Sequence, residues 1–296
     1  MVAVTLRKWS FVVLCVVVGC SDRKKPAVGS GDAATVAVGS GDASTVDGNA
    51  VARSGKRGIA YGFTSVADLS APGTLVSWWY NWTHKPDAAV AAALPQLGIE
   101  YVPMVWGGTF DAAKVEADIP SGAKYLLAFN EPNFAAQSHL TPEQAAALWP
   151  QIEKIADSRN LKIVSPALNY CGGSCNETDP FVWLQKFFAA CVGCRVDYIA
   201  LHWYACTGDA LKSYLTSYKS KFDKPLWLTE FSCLDDASIT VDKETTYMSA
   251  ALSILESDPI VFRYAWFTGR DDSQHAIDLL SGDGVLTPLG KTYSSY

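Results

Sequence analysis

From Lys56 onward, short uninterrupted apolar runs alternate with stretches whose apolar positions recur at helical spacing. The runs are Gly58–Tyr61, Leu75–Tyr80, Glu100–Trp106, Tyr125–Asn130, Lys162–Pro166, Val196–Trp203, Leu226–Phe231 and Val261–Phe267, eight in all. Most lack a polar alternate position, which is the pattern of parallel strands covered on both faces. Between them, Thr141-Pro142-Glu143-Gln144 combines an N-cap, a proline at the first helical position and a Gln at the third. Asp179-Pro180 opens Phe181–Ala190 in the same way, Asp209 is placed to cap Ala210–Phe222, and Asp242 to cap Lys243–Leu255. Pro86-Asp87 starts a further helix that ends near Gly98, and Pro150 is expected to bend or divide the helix begun at Thr141.

Eight strand–helix units in about 241 residues have the size and rhythm of a TIM (β/α)8 barrel. A doubly wound α/β sheet is the competing fold, but it usually carries a Gly-rich loop after its first strand. Tyr61-Gly62-Phe63-Thr64 has no such spacing. The barrel is the expectation, as a single catalytic domain over residues 56–296.

The chain ahead of it reads differently. Arg7 and Lys8 precede the apolar run Phe11–Val18, which is too short to span a bilayer and ends in Val17-Val18-Gly19-Cys20. Residues 1–19 resemble a bacterial lipoprotein signal, with Cys20 as the lipidated residue. An ordinary secretory leader is the other reading, and Ser21 leaves the membrane leaflet open. Residues 20–55 contain the unit AVGSGDAATV, repeated as AVGSGDASTV, and no aromatic residue before Tyr61. Such a segment is expected to be a flexible tether. The expected place is therefore extracytoplasmic, anchored to a bacterial membrane, at the outer membrane or cell surface, through acyl chains on Cys20.

A net charge of -6 without a basic run excludes a phosphate-reading surface, so no nucleic-acid partner is expected. The aromatic content, 10 Trp, 13 Tyr and 12 Phe, excludes disorder of the whole chain and suits a cleft that stacks on sugar rings. In a barrel the site lies where strands end. Those ends are Trp79-Tyr80-Asn81-Trp82, Trp106-Gly107-Gly108, Asn130-Glu131-Pro132-Asn133, Ser165-Pro166, His202-Trp203-Tyr204, Thr229-Glu230-Phe231 and Trp266-Phe267.

Two of them hold a carboxylate embedded in apolar sequence, which is costly unless paired or used. Glu131 could be a capping group and Glu230 a structural one. Against this, the ends of strands four and seven face each other across a barrel mouth, although 99 positions separate the two residues. Two facing carboxyl groups among indole rings are the constellation for glycosidic bond hydrolysis. Tyr204 is expected to hydrogen-bond Glu230, or else to pack, and His202 to orient a carboxylate. Trp79, Trp82, Trp106, Trp203 and Trp266 are candidate sugar platforms, while Trp149, Trp183 and Trp227 are expected to pack. The histidines His84, His139, His202 and His275 stand singly, with no HxH, HExxH or paired CxxC. Neither a metal nor a cofactor is expected.

Six cysteines remain after Cys15 and Cys20, in a chain bound for an oxidising space. Cys206 and Cys233 follow strands six and seven at one mouth. Cys171 and Cys175 share the loop after strand five, and Cys191 and Cys194 precede strand six. Fifteen pairings are possible, and the topology favours the three pairs in that grouping over cross-pairs.

The segments AFNEPN, VDYIALHWY, PLWLTEFSC, YAWFTG and LTPLG together resemble the Asl1-like glycosyl hydrolase catalytic core, glycoside hydrolase family 128, over about Arg57–Tyr296. That family belongs to the clan of retaining barrel glycosidases. The resemblance implies a β-1,3-glucanase acting on laminarin- or curdlan-like chains, with Glu131 as acid/base and Glu230 as nucleophile. It also implies that Asn130 bonds the hydroxyl beside the anomeric carbon and that Trp266 lies near the cleavage point. The expected partner is a β-glucan chain and the expected state a monomer. Another retaining β-glycosidase of the clan, or a surface glucan-binding lipoprotein without turnover, are the alternatives.

Overall fold

The computed structural model describes residues 54–236 and 238–296; the leader, Cys20 and the tether up to residue 53 lie outside the described residues. The strands are β1 (Arg57–Ala60), β2 (Trp78–Tyr80), β3 in two pieces (Glu100–Tyr101 and Met104–Val105), β4 (Tyr125–Ala128), β5 (Lys162–Val164), β6 (Ile199–Trp203), β7 (Leu226–Phe231) and β8 (Val261–Trp266). Pro103, which has no N–H to give, sits in the gap of β3. The helices are α1 (Val66–Ser70), α2 (Ala88–Ala91), α3 (Leu94–Leu97), α4 (Ala112–Asp118), α5 (Pro142–Ser158), α6 (Pro180–Ala190), α7 (Gly208–Lys221), α8 (Val241–Ser257) and α9 (Pro288–Tyr293).

The ladders between these strands are parallel. One sheet runs β3-β2-β1-β8-β7-β6 and the other β3-β4-β5. They meet through β3 on one side. On the other, parallel bridges join Val164 to Tyr198 and Leu168 to Leu201. The strands therefore follow one another in cyclic order, the arrangement of a TIM-like barrel.

Side-chain alternation divides the core in two. Ala60, Trp78, Tyr80, Met104, Leu127, Val164, Ala200, Trp227 and Ala265 form one cluster, with a member from every strand, inside the ring. Ile59, Trp79, Val105, Leu126, Ile163, Leu201, Leu228 and Trp266 point outward and join the apolar faces of the helices. A Cβ at Gly58 would lie 2.3 Å from the Trp78 indole, so glycine is what admits that ring. At the end of the barrel where strands begin, Arg263 lies 4.7 Å from the Tyr125 ring centre and 5.0 Å from that of Trp227. Among the described residues its ion-pair partner is Glu100, at 2.6 Å.

Helix starts follow the expected chemistry with two changes of residue. Thr141 and Gln144 form the full capping box, and the Asp179 carboxylate accepts from the Phe181 and Val182 N–H groups. Thr207 and not Asp209 caps α7, and Thr240 and not Asp242 caps α8, each hydroxyl accepting from the third residue on. The two aspartates fall in the first turn, where the helix dipole still favours them. Pro150 does not divide α5, which continues through it. The Pro86 segment forms two short helices, with Gly98 in the left-handed conformation closing the second at φ 62°. Disulfides join Cys171 to Cys175, Cys191 to Cys194 and Cys206 to Cys233.

Candidate active site

Simple alternation would not aim Glu230 into the barrel. Leu228 packs outward, and two residues later the side chain would do the same. β6 pairs Leu201 with Leu228 and then His202 with Glu230; β8 pairs Tyr264 with Leu228 and then Trp266 with Phe231. Both neighbours thus face one extra residue in β7, a β-bulge that turns Glu230 into the mouth and lets Phe231 pack outward.

Glu131 reaches the same place by another route. Past β4, Phe129 and Glu131 take φ of 61° and 41°, and Trp82, just past β2, takes 59°. Such backbone costs about 1 to 3 kcal/mol per non-glycine residue and persists where surroundings over-determine it. Here the Asn130 N–H donates to the Trp106 carbonyl at 2.8 Å and the Glu131 N–H to the Ala167 carbonyl at 2.9 Å. The turn is pinned between the ends of β3 and β5.

The two carboxyl groups are almost wholly buried, at 8% and 4% exposure. One oxygen of each, and a ring nitrogen of His202, lie within 4.8 Å of one another. His202 Nδ1 is 3.0 Å from Glu131 Oε1 and 3.4 Å from Glu230 Oε2. Glu230 Oε1 accepts from the Trp82 indole N–H at 2.8 Å and the Tyr80 hydroxyl at 3.0 Å. The Tyr204 hydroxyl donates to Glu230 Oε2. Asn130 donates its amide to Gln137 Oε1 at 3.2 Å, and its own oxygen has no protein partner. The Glu131–His202–Glu230 trio is compact enough to hold a cation. Three donors already direct their positive ends at the Glu230 oxygens, however, which suits a free carboxylate better than a metal ligand.

Burial raises the pKa of Glu131, and the neighbouring Glu230 charge adds to it; the His202 contact opposes both without cancelling them. Burial alone would keep His202 neutral, but Glu230 and then Glu131 outweigh it and raise its pKa. Burial, followed by the charge of Glu230, puts the Tyr80 and Tyr204 hydroxyls well above their ordinary range, so both remain donors. Burial thus favours the proton on Glu131, while three donors face the oxygens of Glu230.

The expected residues Glu131, Glu230, Asn130, His202, Tyr204 and Trp82 come together here. Trp106, 39% exposed, lies at the rim and borders a cavity of about 260 Å³ with Trp82, Phe110 and Lys114. Three tryptophans do not belong to the mouth, which corrects the expectation for them. Trp79 packs outward against Phe63 and Tyr101, Trp203 lies against Tyr214, and Trp266 sits between Phe231 and Tyr293 with its N–H on the Ile277 carbonyl. Each occupies the outward phase of its strand. Trp149, Trp183 and Trp227 are buried packing residues. Tyr80 and Gln137 had not been singled out. The signal for Tyr80 was its spacing of two from both Trp78 and Trp82; Gln137 carried none.

Residues 58–293 match the family model described as the glycosyl hydrolase catalytic core. A subgroup II endo-β-1,3-glucanase of glycoside hydrolase family 128 from Sorangium cellulosum is 50% identical, with a TM-score of 0.78, over 81% of this chain and 98% of that one. A second subgroup II enzyme, from Pseudomonas viridiflava, is 39% identical with a TM-score of 0.74, over 82% and 98%. A subgroup I endo-β-1,3-glucanase from Amycolatopsis mediterranei, solved with laminaritriose, is 31% identical with a TM-score of 0.66, over 81% and 98%. The alkali-sensitive linkage protein 1 of Schizosaccharomyces pombe is 29% identical over 255 residues, and the match spans 45% of that relative's length.

Proposed function

Since the chain belongs to the glycosyl hydrolase catalytic core family, in glycoside hydrolase family 128, we propose that it is a retaining endo-β-1,3-glucanase acting on laminarin- or curdlan-like chains. One observation carries the stereochemistry. The nearest oxygens of the two carboxyl groups lie within 4.8 Å of one another, which suits the short separation of retaining enzymes better than the roughly 6.5 to 9.5 Å of inverting ones. The linkage follows from the family 128 relatives.

Glu230, oriented by Trp82, Tyr80 and Tyr204, attacks the anomeric carbon as that carbon's bond to the leaving oxygen breaks. Glu131 gives its proton to the leaving oxygen. Water then attacks the glycosyl–Glu230 ester, losing a proton to Glu131, and the sugar leaves with its original configuration. The unpartnered Asn130 oxygen accepts from the hydroxyl beside the reacting carbon. Trp82 and Trp106 offer indole faces along the cavity. The groups around the carboxyl pair assemble within one chain, which supports a monomer as the working form.

We further propose that the enzyme works outside the cytoplasm. Three disulfides need an oxidising space, and the leader ahead of Cys20 supplies export and a lipid anchor, with residues 20–55 as tether.

The test is product sizing on laminarin, curdlan, cellulose and mannan oligosaccharides, together with Glu230→Ala. Mixed laminari-oligosaccharides from the first two substrates are expected. The variant should be inactive until azide is added, and should then form a glycosyl azide of inverted configuration. Preference for a β-1,4 chain would overturn the substrate, and full turnover by Glu230→Ala would overturn the nucleophile.

A further inference from the structure

Outside the cleft, among the described residues, Glu244 is a buried carboxyl group with no cation near it. Glu244, in the first turn of α8, has no exposed surface. Its Oε2 accepts the Cys233 N–H at 3.2 Å. Its Oε1, the Ser232 hydroxyl and the Tyr247 hydroxyl are all buried without a protein partner. An apolar residue would fill this space without the cost of desolvating a carboxyl. What a carboxyl adds is an acceptor for one backbone N–H.

That N–H lies at a junction. Cys233 is three residues past Glu230 and is joined to Cys206, which is two residues past Tyr204. The next two N–H groups, of Leu234 and Asp235, donate to the Tyr204 carbonyl at 2.9 and 3.2 Å. Tyr204 in turn gives its hydroxyl proton to Glu230 Oε2. The ends of β6 and β7 are thus tied together by one disulfide and two hydrogen bonds, and Glu244 fastens that tie to α8.

We propose that Glu244 is a positioning residue: by accepting the Cys233 N–H it sets the segment that orients the Tyr204 hydroxyl against the Glu230 carboxylate. The inference rests on the reading of Glu230 as nucleophile. Glu244 touches neither substrate nor reacting atoms, so its removal should slow the attack without weakening binding.

The test compares wild type with Glu244→Gln, Glu244→Leu and Glu244→Asp in the full chain, on laminari-oligosaccharides and an aryl β-laminaribioside. Gln keeps an acceptor at the same reach and should stay within about twofold of wild type in kcat. Leu removes the acceptor and Asp draws it back by one methylene. Both should lose roughly tenfold to a hundredfold in kcat, the scale of a slightly displaced reacting group, with KM nearly unchanged. Combining Glu244→Asp with Tyr204→Phe should cost little more than Tyr204→Phe alone, because the two act through one contact. Should the Leu variant not fold, the Asp variant and this cycle decide alone. Wild-type kcat in Glu244→Asp, a loss confined to KM, or additive losses in the cycle would overturn the proposal. A wild-type protein inactive on every glycoside would instead overturn the glucanase reading beneath it.

Discussion

Replacing Glu244 with Gln also removes one titration from the fold, and the size of the effect follows from its surroundings. Burial without a cation pushes the Glu244 pKa from 4.5 up to about 8, and the Cys233 N–H offsets only part of that. In the unfolded chain the group ionises near 4.5; in the folded one it keeps its proton until about 8. Between these values the folded state binds more protons than the unfolded state, so stability falls as pH rises. The stabilising contribution is complete below 4.5 and lost as pH passes through about 8. At about 1.4 kcal/mol per pH unit, the interval integrates to roughly 5 kcal/mol, or 3 to 5 once water entry is allowed for.

Glu244→Gln should therefore gain on wild type as pH rises. The difference in unfolding free energy should be smallest near pH 4.5 and should grow to about 3 to 5 kcal/mol by pH 9. For a domain of this size that corresponds to roughly 10 °C in Tm. Urea midpoints of the two proteins at four pH values from 4.5 to 9 measure it. Asp87 and Asp278, whose pKa values burial also raises, titrate in both proteins and cancel in the difference. Parallel pH profiles would refute the reasoning, since they would mean that Glu244 ionises alike in both states.

Glu131→Gln should lose about a hundredfold to ten-thousandfold on natural linkages and far less on activated aryl glycosides. The alkaline limb of the wild-type profile, set by the raised Glu131 pKa, should vanish with it, and a uniform loss across leaving groups would count against the acid role. Arg263→Ala should cost about 1 to 3 kcal/mol of unfolding free energy by leaving the half-buried Glu100 unpaired. Arg263→Met combined with Glu100→Gln should recover most of it, and kcat should be unchanged because the pair sits at the far end of the barrel. Changing Cys206 and Cys233 to Ser opens a loop with a sequence separation of 27, worth roughly 3 to 4 kcal/mol in chain entropy, and should lower both Tm and kcat. Changing Cys191 and Cys194 to Ser should lower Tm alone, and equal losses of kcat in the two double variants would break the link between the mouth disulfide and the nucleophile.

The strands were legible because both of their faces are covered, and that same property hid which way their side chains point. A strand wet on one side announces its phase by alternation. Trp78-Trp79-Tyr80 does not, so Trp79, Trp203 and Trp266 could not be told from Trp82 by pattern. The turn at Trp82, the kink across Phe129 and Glu131, and the bulge in β7 each change direction at one residue. The first and the last have no glycine or proline to mark them, and Pro132 follows the second without telling which way Glu131 points. The helix starts read from capping residues fell within two residues of the observed ones, while α1, α4 and α9 were not read at all; the choice between Thr207 and Asp209, or Thr240 and Asp242, was not legible, since both residue types cap. Disulfide partners were readable because strand order alone puts Cys206 beside Cys233.

Without the family resemblance, the sequence pattern does not divide the roles between the two glutamates. Both follow apolar runs, both end strands, and both are buried to nearly the same degree. They differ in what their neighbours offer. A carboxylate only accepts, and Glu230 is met by an indole N–H and two phenolic hydroxyls whose raised pKa values keep them donors. Glu131 is met by a single ring nitrogen and by burial that raises its pKa. Exchanging the roles would leave three donors around a group that must release its own proton, and would set the attacking anion where only His202 could balance it. The hydrogen-bond inventory of the mouth thus supports the proposed assignment of nucleophile to Glu230 and acid to Glu131, the pair that the family resemblance implies.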